Sequence, residues 1–302
     1  MRWDKITEKQ NPVSERIDQK STREILEIIN KDDTSVADAV AEALPDIQRF
    51  IDALIVRFQH GGKLFYIGSG TSGRLGVLDA AECPPTYRTD PEMVQGIIAG
   101  GYEALVRSIE GAEDIPDDGA KAVLDYGVTE KDVVLGITAS SSTPFVLGAL
   151  EKAKKINALT GLLVCNEPIE LPYVDHLLSI IVGPEIITGS TRMKAGTATK
   201  MVLNMITTVS MIKLNKTFGN LMVDLKASNQ KLWDRGARLV SHLTDLNYND
   251  ALELLKSADG EVKTAVVMSK LNIDMKDAWK QLRKQQGSLR KALDNSKIYD
   301  SN

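Results

Sequence analysis

The stretch LFYIGSGTSGRLGVLDAAECPP, residues 64–85, decides how this chain is read. It opens apolar and β-prone at Leu64-Phe65-Tyr66-Ile67, then turns small and hydroxyl-rich over Gly68-Ser69-Gly70-Thr71-Ser72-Gly73. The pattern predicts a helix from about Arg74 that stops at Pro84-Pro85. A buried strand, a loop of small residues and a helix start make an anion seat. Glycines let the backbone approach, N–H groups point outward, and the helix dipole favours negative charge. Ser69, Thr71 and Ser72 add hydroxyl donors beside Gly70. No lysine follows the last glycine, so this is not a Walker loop. The spacing Gly68-x-Gly70-x-x-Gly73 matches GxGxxG, a weak signal on its own. The hydroxyls point to a phosphate monoester rather than a dinucleotide. A tight strand–helix turn without a ligand is the alternative, and the recurrence of the pattern twice downstream weighs against it.

The first recurrence follows the apolar run 133–138. It reads Ala139-Ser140-Ser141-Ser142-Thr143-Pro144 and leads into a helix to about Ile156, with Pro144 well placed in the first turn. One hydroxyl suffices for a cap, and here there are four in succession. The second recurrence is Thr188-Gly189-Ser190-Thr191-Arg192-Met193-Lys194, ahead of a long apolar helix to about Leu214. Ser190, Arg192 and Lys194 suit a phosphate or carboxylate, a solvated basic face being the ordinary alternative. Strand-like runs at 64–67, 94–99, 133–138, 159–165 and 177–182 alternate with helical segments. That alternation predicts an α/β fold with a doubly wound, five-stranded parallel sheet. In such sheets ligands bind beyond the carboxyl ends of the strands, where strand order reverses. All three polar loops fall at carboxyl ends.

Outside the sheet, Ser21 is placed to cap a helix to about Asn30, and a long helix is expected from Thr34 or Ser35 to about His60. Pro45 should kink or break it. The first twenty residues are polar, and composition leaves open a free tail or an arm packed on a partner subunit. Several short helices are expected over 247–295. The resulting division is 1–60 for the arm and N-terminal helices, 61–220 for the sheet domain and 221–302 for a small helical domain. With 302 residues, 43% hydrophobic content and a net charge of −4, the chain can bury a core and has no basic footprint for nucleic acid. Cys83 and Cys165 are far apart, and His60, His176 and His242 are isolated, so no metal set is expected. No membrane-spanning run and no signal-peptide core are read, which with the two cysteines gives a cytoplasmic expectation.

Carboxylates remain as the chemistry. Glu82 is expected to close the helix that starts at the first loop; from position alone an ordinary surface glutamate is slightly favoured. Glu113 lies in Glu110-Gly-Ala-Glu113-Asp114, where acidic loop residues are common. Both are read beside the carboxyl edge of the sheet. Two such groups near a sugar phosphate would let one take a proton from carbon and the other give one to a leaving oxygen.

The GSGTSG and SSSTP loops resemble those of the phosphosugar-binding sugar isomerase (SIS) domain, whose sheet is flavodoxin-like. Four places sharpen the likeness: Thr7-Glu8 with Asn11-Pro12, residues 68–85, Glu110-Gly-Ala-Glu113-Asp114, and TGSTRMKAG at 188–196. Together they resemble the N-acetylmuramic acid 6-phosphate etherase family, which recycles cell-wall sugar and is related to glucokinase regulatory protein. The C-terminal helices resemble that family's small ubiquitin-associated-like module. The resemblance implies a lyase that releases D-lactate by elimination across C2–C3 and adds water back, without a cofactor. It implies that Glu82 protonates the leaving lactate and that Glu113 is the other catalytic carboxylate, read as the base at C2. It also implies a homodimer whose sites borrow residues from the partner. One departure stands out: the family commonly has Ala-Ser-Gly-Arg-Thr-Pro where this chain has Ala139-Ser140-Ser141-Ser142-Thr143-Pro144, a loss of one cation. The rivals are a sugar-phosphate isomerase, which shares the seat but releases no lactate, and a non-catalytic sugar-phosphate sensor.

Overall fold

The computed structural model describes residues 5–167 and 170–294. Two compact units result. One holds the described residues up to Glu82 together with Asp90–Thr207; the other holds Cys83–Thr89 and the described residues from Thr208 on.

The first unit begins with three short 3-10 turns, Ile6–Glu8, Pro12–Ser14 and Ile17–Gln19. Helix α1 (Thr22–Asp33) starts from a capping box, in which Ser21 and Glu24 satisfy each other's backbone N–H. The long helix expected next is two helices, α2 (Ser35–Glu42) and α3 (Leu44–Gln59). The break falls where Pro45 requires it: proline lacks the N–H an interior turn needs but fits a first turn.

Five strands follow: β1 (Leu64–Gly68), β2 (Val94–Ile98), β3 (Val133–Ile137), β4 (Leu159–Val164) and β5 (His176–Ser179). They form one parallel sheet in the order β2-β1-β3-β4-β5. Every residue of β1 and β3 is buried, as continuous apolar runs in a covered sheet should be. Phe65, Ile67, Val134, Val146, Leu150 and Val164 belong to one core cluster. The chain leaves β1 toward β2 and returns to the other side of β1 as β3, so strand order reverses between β1 and β3. The crevice for a ligand therefore opens at their carboxyl ends.

The connecting helices are α4 (Gly70–Tyr87), α5 (Glu103–Val106), α6 (Pro116–Asp125), α7 (Pro144–Lys155) and α8 (Lys194–Lys213). Helix α4 corrects two expectations. It starts at Gly70 instead of Arg74, and it continues past Pro84 and Pro85 to Tyr87. The early start has a local cause: Gly73 N–H already donates to the Ser69 carbonyl at 3.1 Å. Gly70 has φ +50°, a left-handed conformation that glycine takes freely. Gly68 and Gly73 then touch, since a Cβ on Gly73 would stand 2.7 Å from the Gly68 carbonyl oxygen. At the far end, Arg88 N–H donates to the Pro84 carbonyl at 2.9 Å, so the prolines are absorbed near the end of the helix.

The second unit contains α9 (Gln230–Thr244), α10 (Tyr248–Ser257), α11 (Val262–Leu271), α12 (Met275–Lys284) and α13 (Leu289–Asp294), with a small hairpin of Thr217–Phe218 and Leu221–Met222. Asn229, Asn247 and Asp274 cap α9, α10 and α12 through their side chains. Val240, Leu255, Val262, Val266 and Leu289 form its core. Among the described residues no helix is long and apolar enough to cross a membrane.

Candidate active site

The first loop is joined to Glu113. Ser69 Oγ donates to Glu113 Oε2 at 2.8 Å. Glu113 sits on the α5–α6 connection, which two anchors hold in place. Phe145 N–H, at the start of α7, donates to the Glu113 carbonyl at 3.0 Å. Arg74 of α4 donates to the Leu105 carbonyl at 3.1 Å and the Arg107 carbonyl at 3.0 Å. A cavity of about 370 Å³ opens here, lined by Ser69, Gly70, Arg74, Ser108, Glu110 and Glu113 among others. That is near the lower end of small-molecule sites, roughly 300–1,000 Å³. Thr71 and Ser72 are half-buried in the first turn of α4. The Thr71 methyl lies 3.5 Å from the point where a Cβ on Gly196 would stand, so the starts of α4 and α8 meet at one rim.

The second loop is a chain of hydroxyls. Thr138 Oγ1 is 2.7 Å from Thr143 Oγ1 and 3.4 Å from Ser140 Oγ, and Ser140 Oγ is 3.3 Å from Ser142 Oγ. Ser141 is buried, with its hydroxyl donating to the Ser140 carbonyl at 2.6 Å. It has φ +59°, the left-handed region that glycine favours. The resemblance read from the sequence implies a glycine at this position.

A residue that sequence reasoning missed completes this loop. The Lys5 ammonium donates to the Ser140 carbonyl and, at 2.6 Å, to Ser142 Oγ. The arm is locked down beside it. Ile6 N–H donates to Asn166 Oδ1 at 3.0 Å, Asn166 Nδ2 donates to Thr7 Oγ1 and to the Ala139 carbonyl at 2.9 Å each, and Gly189 N–H donates to the Thr7 carbonyl at 3.2 Å. From Lys5 on, the arm thus packs on its own sheet. No spacing rule links Lys5 to residues 140–142; the one hint was a hydroxyl loop with no basic residue of its own.

The third loop corrects an expectation. Lys194 is buried and faces Asp32 at 2.8 Å, and Asn11 Nδ2 donates to that same carboxylate at 3.2 Å and to the Pro184 carbonyl at 3.0 Å. The donors at the start of α8 are already taken: Glu185, fully buried, accepts from Lys194 N–H and Ala195 N–H at 2.9 Å each. Burial pushes the Glu185 carboxyl above its ordinary value, against the pull of the two backbone N–H groups and Lys194. Lys194 is therefore an internal counter-ion and not a ligand for an outside phosphate. Arg192 is exposed and Ser190 half-buried at the same turn. In the sequence Glu185 reads as one more acidic loop residue, so nothing local signals its role.

Glu82 is exposed and lies twelve residues beyond Gly70 on α4, about 18 Å along the axis at 1.5 Å per residue. The expectation that it stands with Glu113 at the carboxyl edge is corrected within one chain. A crossover helix runs back from the carboxyl ends of the strands toward their amino ends, and carries Glu82 away with it. Among the described residues no group of three or more His, Cys, Asp or Glu side chains is placed to hold a metal ion.

Fold and rim together define an SIS-type phosphosugar domain. Residues 46–154 match the family described as glucokinase regulatory protein N-terminal SIS domain. Relatives extend the likeness over nearly the whole chain. An N-acetylmuramic acid 6-phosphate etherase of Salinibacter ruber is 50% identical, covering 96% of this chain and 94% of its own. Etherases of Clostridium acetobutylicum (49%; 96% and 96% covered) and a Geobacillus species (48%; 95% and 98%) are similar. The chain belongs to the N-acetylmuramic acid 6-phosphate etherase family. Among solved structures, a putative sugar-phosphate isomerase from Listeria monocytogenes is similar at TM-score 0.47 and 14% identity, covering 66% of this chain and 94% of its own. A phosphoheptose isomerase from Francisella tularensis is similar at TM-score 0.44 and 17% identity, covering 62% and 98%.

Proposed function

We propose that this protein cleaves the D-lactyl ether of N-acetylmuramic acid 6-phosphate, giving N-acetylglucosamine 6-phosphate and D-lactate, and that it acts as a cytoplasmic homodimer in amino sugar recycling. The observation that carries the reading is the Ser69–Glu113 hydrogen bond at the mouth of the 370 Å³ cavity, beside the start of α4.

Charge supports one division of the loops between the two ends of the substrate. Glu113 repels a phosphate from the first loop, and Lys5 attracts one to the second. The phosphate is assigned to Ser140, Ser142, Thr143 and the start of α7, with Ser141 shaping the turn. Ser69, Gly70, Thr71 and Ser72 line the sugar, and Ser190 and Arg192 border it. With the sugar open, the proton at C2 lies α to the C1 aldehyde and is acidic enough for a carboxylate to remove. Glu113 takes it, the C3–O bond breaks, and the departing lactate oxygen receives a proton. Water then adds across C2–C3, its hydroxyl bonding to C3 while a proton returns to C2. Each step moves only protons and electron pairs already present, so the reaction consumes no cofactor.

The proton for lactate is assigned to Glu82 of the second copy, since the Glu82 of the same chain lies too far along α4. Two copies related by a twofold axis would exchange this residue reciprocally. Incubation of the purified protein with N-acetylmuramic acid 6-phosphate should release D-lactate in step with N-acetylglucosamine 6-phosphate. A protein that only interconverts aldose and ketose phosphates, or only binds the sugar, would release none. The isomerase reading would then replace this one.

A further inference from the structure

The helical unit holds a concavity to which the proposed reaction assigns no residue. It measures about 320 Å³ and is walled by Arg88, Lys216, Lys263 and Arg283, with Asp224 and Glu261 as its carboxylates and Trp279 alongside. The carboxylates are already shared. Asp224 lies 2.5 Å from Lys216 and 3.4 Å from Lys263. Glu261 lies 3.3 Å from Arg88 and accepts from Trp279 Nε1 at 2.8 Å. Arg283 has an indole in place of a carboxylate, its guanidinium lying 5.0 Å from the Trp279 ring centroid. Four cations thus surround two anions in one hollow.

We infer that this hollow is a binding site for a small phosphate monoester, distinct from the sheet's active-site rim. A monoester dianion matches the excess of two positive charges. Its tetrahedral oxygens suit cations arriving from several sides, with the exposed Arg283 free to swing toward it as a fork. The volume leaves room for a carrier beside the phosphate. Lys263 supports the assignment from a second direction. Its ammonium is nearly buried and donates to the Asn215 carbonyl at 2.8 Å. Burial pushes it below its ordinary value, and Lys216 and Arg88 add to that against Asp224. An entering dianion offsets this desolvation and favours the charged form of the ammonium.

Tryptophan gives a reporter. The chain has three, Trp3, Trp233 and Trp279. In full-length protein labelled with 5-fluorotryptophan, the Trp279 resonance, assigned with W279F, should shift saturably on titration with inorganic phosphate, and acetate at equal concentration should not reproduce the shift. Arg283→Ala, at an exposed position, should weaken phosphate affinity about ten-fold or more, as loss of a charge-assisted hydrogen bond does. Lys216→Met should do the same. Ser140→Ala, in the active-site loop, should leave the Trp279 titration unchanged. A Trp279 signal that ignores phosphate, or a shift equal in wild type, R283A and K216M with their folds intact, would overturn the site. Neither result bears on D-lactate release, which the first unit's rim accounts for separately.

Discussion

Helices α4 and α8 start within reach of each other at the same rim, each behind a loop of glycines and hydroxyls, yet their ends are used differently. At α8 the N–H groups are filled from inside by Glu185, and Lys194 is turned inward to Asp32. At α4 the loop holds its carboxylate through a side chain, Ser69 to Glu113, at the edge of a cavity. A run of donors therefore says little about whether a helix start is free. What decides it is an acceptor that can come from a distant part of the chain.

The difference can be broken most sharply by removing the carboxylate at each end. Glu113→Gln should lower D-lactate release about 10²- to 10⁴-fold, the ordinary range for a positioned acid or base, without lowering the melting temperature. At the other end the effect should be on stability. Lys194→Met leaves Asp32 and Glu185 without their cation and should cost about 3 kcal/mol, the lower end for a broken buried pair because Asp32 is partly exposed. Denaturant unfolding reads this directly, with Arg192→Ala, on the exposed side of the same turn, expected within about 0.5 kcal/mol of wild type.

The Glu185 site should also show in the pH dependence. Its folded carboxyl titrates above the unfolded value of 4.5, so the folded state binds the proton more tightly. Its contribution to stability is then fully present below 4.5 and is lost as pH rises through the raised folded value. Glu185→Gln should flatten that part of the stability–pH curve, and an unchanged slope would place the titration elsewhere.

Smaller effects distinguish the second loop from the first. Gly70 at φ +50° and Ser141 at φ +59° make comparable turns, one with the residue suited to it and one without. Ser141→Gly should relieve a non-glycine left-handed turn, which costs roughly 1–3 kcal/mol, less the lost hydroxyl bond to Ser140. A gain of a few tenths to about 1 kcal/mol is expected by thermal melting. Lys5→Ala should raise KM for the phosphorylated substrate several-fold with little change in kcat.

Much of the sheet was legible because its signals are local. The runs at 64–67, 133–138 and 159–165 are apolar and bounded by turn residues, and each became a strand of the sheet in nearly those bounds. The polar loops also fell at carboxyl ends as expected. Helix α4 was misjudged at both ends, since the Ser69 carbonyl's first helical bond and the tolerance of Pro84 and Pro85 depend on geometry that residue types alone do not report. Lys5 and Glu185 were missed for a stronger reason. Lys5 meets a loop 135 residues away, and Glu185 caps a helix beyond an intervening loop. Neither carries a pattern in its own neighbourhood.

The central claim is that a working site joins Glu113 of one copy to Glu82 of another. It is tested most directly by mixing two inactive variants, Glu82→Ala and Glu113→Ala, under conditions that let subunits exchange, and following D-lactate release from N-acetylmuramic acid 6-phosphate. Random exchange should restore about a quarter of the wild-type rate, because half the dimers then carry one intact site. If the mixture stays as inactive as its components while labelled subunits demonstrably exchange, Glu82 does not serve a neighbouring chain and the shared site is wrong.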